Sequence, residues 1–234
     1  MIRRLVTSGA LAVIAAAACT ARPLAAQQFL DAGTFLLERA GAEAGRVEFA
    51  IRPSPGRAGV PGVLLVATAR LRGREIQHAL ELIDNVPVSF QQTETAGGRV
   101  VRRVSAQLAG TRFSARVTSS DGESAREFPV RPPVALLGEE DYAGFYYVPR
   151  APQGESRGLT VVRASDARGV QATVEGLGSD SVTIGAMRLG ARKYALRLTD
   201  GDERLFWITE AGDLLRVAVP ATGMVATRTE VPHH

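Results

Sequence analysis

The chain has 234 residues, with 28 lysines and arginines against 24 aspartates and glutamates, and a formal net charge of +4. Three of the arginines lie in residues 1–26, which hold no acid, so the remainder is nearly neutral, with 25 basic against 24 acidic residues. Because no basic block is interleaved with aromatics, the composition argues against nucleic-acid binding. Cys19 is the single cysteine, so the chain after it cannot form an internal disulfide, a cysteine zinc site or a thiol nucleophile.

Residues 1–26 have the order of a secretory signal peptide. Two arginines precede an apolar run from Leu11 to Ala18, and small residues end the segment. The apolar run is too short for a membrane anchor. We therefore expect cleavage near Ala26 and an exported protein of the periplasm or outer cell envelope, soluble or peripherally bound to a membrane. A lipoprotein with its lipid on Cys19 is the alternative.

From residue 27 onward the chain reads as β structure almost throughout. Apolar and polar residues alternate in GRVEFAIR, GTRFSARVTSS, RGVQATVEG and KYALRLTDG. This pattern indicates strands with one buried face and is typical of antiparallel sheets. Turn signals separate the runs at about 8–12 residues. About fourteen strands predict an all-β fold, either a strongly curved antiparallel sheet or a barrel.

Proline-rich loops interrupt the alternation in the middle of the chain. They place a soft boundary near residues 131–157. The exported part, 27–234, is then one domain, or it divides into two candidate halves, 27–135 and 155–232. A proline-rich loop and a short aromatic helix would join the halves.

The segment EEDYAGFYYV, between these loops, predicts that helix, with Tyr142, Phe145 and Tyr146 spaced for one face. Such apolar side chains with polar tips are typical of ligand pockets. They equally suit a helix that plugs the end of a barrel, and the two interpretations are compatible. The acidic run from Glu139 to Asp141 would act as acid and base on a sugar, or more simply start the helix, where acids favour the positive end of the dipole.

Catalytic patterns are weak. The stretch GESRG fits the G-x-S-x-G elbow of serine hydrolases, but that elbow needs a strand before Ser156 and a helix after it. Here a loop precedes Ser156 and a β-like run follows. The histidines are His78, which lies on an apolar strand face, and His233 and His234, which form a tail. We therefore expect no enzyme, no metal site and no cofactor.

Trp207 is the single tryptophan. A two-residue hairpin loop at Ala211-Gly212 predicts its strand register. The predicted pairs are Ile208 with Leu215, Phe206 with Val217, Trp207 with Arg216, and Leu205 with Ala218. Trp207 then lies on a second, partly open face of the sheet, where a cation–π contact with Arg216 is available. The predicted ligand-binding residues are Tyr142, Phe145, Tyr146, Trp207 and Arg216.

Three stretches resemble a broad group of secreted bacterial domains of unknown function. They are GTFLLERAGAEAGRVEFAIR, with Gly33-Thr34-Phe35, Gly41, Gly45 and Glu48-Phe49; EEDYAGFYYVPR; and the Trp207 strand followed by LLRVAVPATGMVATR. The resemblance implies an envelope-located antiparallel β fold, barrel-like or half-barrel, and it transfers no catalytic residue. An analogy to periplasmic lipoprotein carriers, with a curved sheet and an apolar cavity, is one of fold alone.

Three functions are compatible with these features. The first is a non-enzymatic envelope protein that binds an apolar or amphipathic ligand, such as a lipid or glycolipid, inside a curved sheet. The second is a structural or interaction domain with a filled core, which acts on an envelope protein partner through its surface. The third is a hydrolase, for which the sequence offers poor material. A cavity inside the sheet separates the first function from the second.

Overall fold

The structure, a computed structural model, describes residues 29–57, 59–164 and 166–232. The predicted signal peptide, with Cys19, lies outside the described residues, as do His233 and His234. Within the described ranges the chain forms fifteen strands and two short 3₁₀ helices.

The elements follow in chain order. The strands are β1 (Asp31–Arg39), β2 (Ala42–Arg57), β3 (Val60–Leu71), β4 (Arg74–Ile83), β5 (Val86–Ala96), β6 (Arg99–Ala109), β7 (Arg112–Ser119), β8 (Gly122–Pro129), β9 (Val134–Leu137), β10 (Ser156–Arg163), β11 (Arg168–Ile184), β12 (Met187–Leu198), β13 (Glu203–Ile208), β14 (Leu214–Val219) and β15 (Met224–Arg228). The 3₁₀ helices are Ala143–Tyr147 and Pro220–Thr222.

All fifteen strands belong to one sheet. Strands β1 to β8 form one antiparallel meander and β10 to β15 a second, and the pairing of β1 with β15 joins them. Strand β9 adds to the end of the second meander, parallel to β10. The predicted all-β, mainly antiparallel fold of about fourteen strands is confirmed, with this one parallel pair as the exception. Because β8 and β9 are the two edges, the described strands form a curved sheet and not a closed barrel.

The sheet rolls up so that one edge lies inside it and the other outside. Strand β9 is buried at all four residues and lies against β5. Strand β8 is exposed along most of its length, and its Phe128 packs on the start of β11, where a Cβ on Gly169 would come within 2.9 Å of the ring. Charged side chains along β8, such as Glu123 and Arg126, are typical of an edge protected against pairing with other chains.

The apolar residues of the predicted alternating strands lie on the buried face of the sheet. In β2, Val47, Phe49 and Ile51 are buried, and the main core contains side chains from both meanders. A second, smaller cluster lies on the opposite face of β11 to β14. One sheet and one main core therefore span the region of the predicted soft boundary.

The connection from β9 to β10 crosses the interior of the roll. Because these two strands are parallel, the chain must return from one end of the sheet to the other between them. The first 3₁₀ helix, Ala143–Tyr147, lies in this crossing, and four of its five residues are buried. The short aromatic helix predicted from the sequence thus forms as a five-residue 3₁₀ helix and fills much of the interior.

Candidate ligand pocket

A pocket of about 170 Å³ remains at one end of the roll. This end, at which β1, β9, β10 and β12 finish, is called the mouth, and the cavity is called the inner pocket. Its apolar wall comes from six side chains: Leu137, Val161, Leu196, Leu198, Val219 and Met224. An apolar cavity of about 150 Å³ is large enough to bind benzene. The inner pocket therefore suits a small apolar group or the end of a chain, but not a whole lipid.

Tyr142 lines the inner pocket at the point where the crossing segment begins. Its hydroxyl donates to the Glu140 carboxylate over 2.5 Å. Burial raises the pKa of Tyr142, and the neighbouring Glu140 raises it further. The phenol therefore stays protonated and acts as a donor. Of the three aromatics predicted to bind ligand together, Tyr142 is the one that lines this pocket.

The rim carries both signs of charge. Arg39, Arg163 and Arg204 line the inner pocket together with Glu139 and Glu140. The acids point toward other arginines: Glu139 lies 3.0 Å from Arg74, which is also 3.9 Å from Glu140.

The predicted role of the acidic run as a helix start holds only for Asp141. Its carboxylate accepts hydrogen bonds from the amides of Gly144 at 2.9 Å and Gly138 at 3.3 Å, and so holds the turn that leads into the 3₁₀ helix. Glu139 and Glu140 contact arginines at the mouth and lie outside the first turn of the helix.

The pairing of β1 with β15, which joins the two meanders, is called the seam. Tyr146 belongs to a buried polar cluster beside it. Its hydroxyl donates to Asp31 and accepts from Arg228 at 2.9 Å. Arg228 also contacts Asp31 at 2.7 Å and lies over the Phe49 ring at 5.3 Å. Burial raises the pKa of Asp31, but hydrogen bonds from Arg228 and Tyr146 outweigh it and hold the pKa below its usual value. Tyr146 therefore stabilises the seam and does not line the inner pocket.

Phe145 is fully buried in the main core. Its ring packs on Phe206 at 5.5 Å, and Phe206 stacks on Tyr194 at 5.1 Å. The side chain fills the interior beneath the inner pocket and is not among the pocket's lining residues.

Trp207 and Arg216 lie on the other face of the sheet, because neighbouring residues of a strand point to opposite faces. The predicted pairing of Trp207 with Arg216 is confirmed, and so are those of Phe206 with Val217 and Leu205 with Ala218. Ile208, however, pairs with Leu214 and not with Leu215, because a bulge follows Trp207. The loop is correspondingly longer than the two residues predicted.

The partly open surface predicted for Trp207 is wrong. The side chain is 7% exposed and packs with Val182, Ile184 and Leu215 in the smaller cluster. Its indole nitrogen donates to Asp180 at 2.8 Å, while Lys193 and Arg216 lie over the ring at 5.1 and 5.3 Å. The predicted cation–π contact is thus present. Trp207 is nevertheless separated from Tyr142, Phe145 and Tyr146 by the thickness of the sheet.

His78 is packed in the core near the mouth, as its strand face predicts. The His78 Nδ1 lies 4.0 Å from the Asp141 carboxylate. Gly138 leaves room for the imidazole ring, because a Cβ on Gly138 would come within 2.7 Å of that ring. Burial lowers the pKa of His78, which Asp141 partly offsets, so the imidazole is neutral. Gln92, its partner across the strands, is also buried, and neither side chain has a hydrogen-bond partner among the described residues.

Ser156 is the exposed first residue of β10 and not the centre of a strand-to-helix elbow. In the described ranges no group of three or more histidines, cysteines or acids is placed to hold a metal ion. The helices in that part of the chain are too short to cross a membrane.

The arginines of the mouth were missed by sequence reasoning. Arg39, Arg74 and Arg204 each lie next to a turn between strands, far apart along the chain. In a meander, every second turn lies at the same end of the sheet. An arginine next to every second turn would therefore have indicated that these side chains lie at the same end of the sheet.

A rolled sheet with an internal helix and a pocket at its mouth defines a β-barrel-like domain. A comparison with solved structures finds the crystal structure of a beta-barrel-like protein of domain of unknown function DUF1849 from Brucella abortus, with 13% sequence identity and a TM-score of 0.50. The match covers 85% of this chain and 94% of that chain. No family model matches the chain, and no curated protein does.

At this identity the likeness concerns the fold alone. It confirms the barrel-like fold of a domain of unknown function that the sequence resemblance implied. The secreted, envelope-located character of that group stays a prediction.

Proposed function

We propose that this protein is an exported, non-enzymatic protein of the cell envelope that binds an apolar or amphipathic ligand, such as a lipid or glycolipid, at the mouth of its rolled sheet. The inner pocket carries the proposal, because its wall of six apolar side chains opens beside a charged rim. Apolar pockets with a few well-placed polar groups are the usual form of small-molecule sites.

The size of the inner pocket limits what enters it. At about 30 Å³ for a group the size of a water molecule, about 170 Å³ holds roughly five or six such groups. One end of an acyl chain fits, and the rest of a lipid would remain outside the roll. Each methylene that leaves water adds about 0.8 kcal/mol. Affinity should therefore rise with chain length over the first few carbons and then level off.

The main alternative is a structural or interaction domain with a filled core and an envelope protein partner. One observation favours it: the crossing segment already occupies much of the interior, with Phe145 fully buried and Tyr146 held in the seam. The two functions differ in whether the inner pocket takes a ligand.

Native mass spectrometry of the protein purified from its own envelope tests the proposal. Val219 lines the inner pocket, so Val219→Phe should fill it and abolish a co-purifying small molecule. Val86→Phe makes the same change at the exposed first residue of β5 and should retain the molecule. Equal retention in both variants would place the ligand elsewhere. A wild-type protein that neither carries nor takes up an amphiphile would favour the filled-core domain.

A further inference from the structure

A second, more open pocket adjoins the inner one at the mouth. This outer pocket has a volume of about 430 Å³ and shares Arg39 and Glu140 with the inner pocket. Its small apolar surface comes from Ala42, Ala44 and Leu71. A ligand that extends out of the inner pocket past Arg39 would therefore enter the outer one.

Arginine dominates the charges that line the two pockets. Of the residues that the structure describes, five arginines and three glutamates line the two pockets, and no aspartate does. Each glutamate already has a partner: Glu43 contacts Arg46 at 3.1 Å, Glu139 contacts Arg74 at 3.0 Å, and Glu140 accepts from the Tyr142 hydroxyl. The acids are thus engaged, and the lining has an excess of positive charge.

Two of the arginines differ from the others in lacking an acidic partner. Arg163 contacts Asp200 at 2.9 Å and Arg204 contacts Asp202 at 3.0 Å. Arg39 and Arg72 form no ion pair with any carboxylate in the part of the chain that the structure describes. Among the described residues, Arg39 donates one side-chain hydrogen bond, to the Met224 sulfur at 3.2 Å, and a thioether is a weak acceptor.

We propose that the ligand is an anionic amphiphile, whose chain end enters the inner pocket while its carboxylate or phosphate lies in the outer pocket against Arg39 and Arg72. This inference rests on the proposed function. The planar guanidinium group presents paired donors that match carboxylate and phosphate oxygens.

Calorimetric titration of the wild-type protein with four eight-carbon ligands tests the charge preference. The ligands are octanoate, octyl phosphate, octanol and octyltrimethylammonium, each below its micelle concentration. At least one of the two anions should bind about tenfold more tightly than octanol, since charge-assisted hydrogen bonds exceed one tenfold step in affinity. Because both arginines are exposed, this advantage should shrink as salt is added, while octanol binding should not weaken.

Matched variants assign the preference to the two arginines. Arg39→Gln with Arg72→Gln should lose the advantage of the anions over octanol. Arg103→Gln with Arg157→Gln removes the same charge from exposed strand positions that line neither pocket, and should keep the advantage. The same loss in both double variants would overturn the assignment.

The remaining outcomes separate this inference from the proposed function. Tighter octanoate indicates a fatty-acid-like head group, and tighter octyl phosphate a phospholipid-like one, and either supports the inference. Equal binding of octanoate, octyl phosphate and octanol, or tighter octyltrimethylammonium, overturns it and leaves the proposed function standing. If none of the four ligands binds to folded protein, both fail.

Discussion

Replacing Arg228 with methionine should destabilise the protein through its seam. Arg228 is 2% exposed, and it links Asp31 at the start of β1 to the end of β15. The variant keeps the aliphatic bulk but leaves the Asp31 carboxylate without its cation. It also removes the donor to the Tyr146 hydroxyl and the contact with the Phe49 ring.

The expected magnitude follows from the burial of the pair. Removing one partner of a fully buried ion pair costs about 3–5 kcal/mol of the free energy of unfolding. The Arg228 side chain is 1% exposed and that of Asp31 is 11% exposed, so the carboxylate keeps a little contact with water. We therefore expect a loss near the lower bound, about 3 kcal/mol. For a protein of this size, that corresponds to a fall in Tm of about 6–12 °C.

Urea unfolding followed by circular dichroism measures the effect in a double-mutant cycle. Arg228→Met, Asp31→Asn and the double variant are compared, and the double variant should cost about 2 kcal/mol less than the sum of the two single ones. Arg70→Met is the control, because its ion pair with Glu48 is exposed, and it should leave the unfolding midpoint unchanged. A coupling near zero, or a loss from Arg228→Met no larger than from the control, would refute the seam argument.

The loss of stability in acid gives a second test of the Asp31–Arg228 ion pair. The pKa of Asp31 lies below its usual value in the folded protein. A depressed carboxyl pKa stabilises the folded state above the unfolded pKa of about 3.9 and loses that stabilisation as the pH falls through the folded value. Wild type should therefore lose more stability below about pH 4 than Arg228→Met does.

Four further predictions concern the two faces of the sheet and the mouth. Phe206→Ala should cost about 3–5 kcal/mol and more than Trp207→Ala in urea unfolding, because Phe206 is fully buried in the main core; the reverse order would contradict this. Trp207 emission should also stay unchanged when the inner pocket fills, because the two lie on opposite faces. Burial lowers the pKa of His78 in the folded protein. The free energy of unfolding of the wild type should therefore fall as the pH drops below about 6.5, by up to about 1.4 kcal/mol per pH unit. Urea unfolding of His78→Leu across this pH range should lack that slope. Gly138→Ala should lower Tm because its Cβ would come within 2.7 Å of the His78 ring, whereas Gly190→Ala, with open space around it, should not.

The strands and their buried faces could be predicted because the information is local. Val47, Phe49 and Ile51 show their common face by alternation alone. The pairing of Trp207 with Arg216 follows from a short hairpin in the same way. The bulge that moves Ile208 onto Leu214 could not be predicted, because nothing in the loop sequence distinguishes it from a two-residue turn.

The burial of Trp207 and the mouth depend on contacts between distant parts of the chain. Val182 and Ile184, which cover Trp207, come from the far end of the long β11–β12 hairpin. The mouth likewise brings Arg39 and Arg204 together from the ends of different hairpins. Alternation within a strand carries no information about such contacts, so the sequence predicted the ladder of strands but not the way in which the sheet rolls.

The pairing of β1 with β15 also has a kinetic consequence. Every other antiparallel pair in the sheet joins strands that follow each other in the chain, whereas the seam joins residues such as Phe35 and Arg228. Contacts between neighbouring strands form early, and contacts over a long loop form slowly because the loop entropy must be lost first. Each meander can therefore begin to assemble from its own strands, but the roll closes only when β15 pairs with β1.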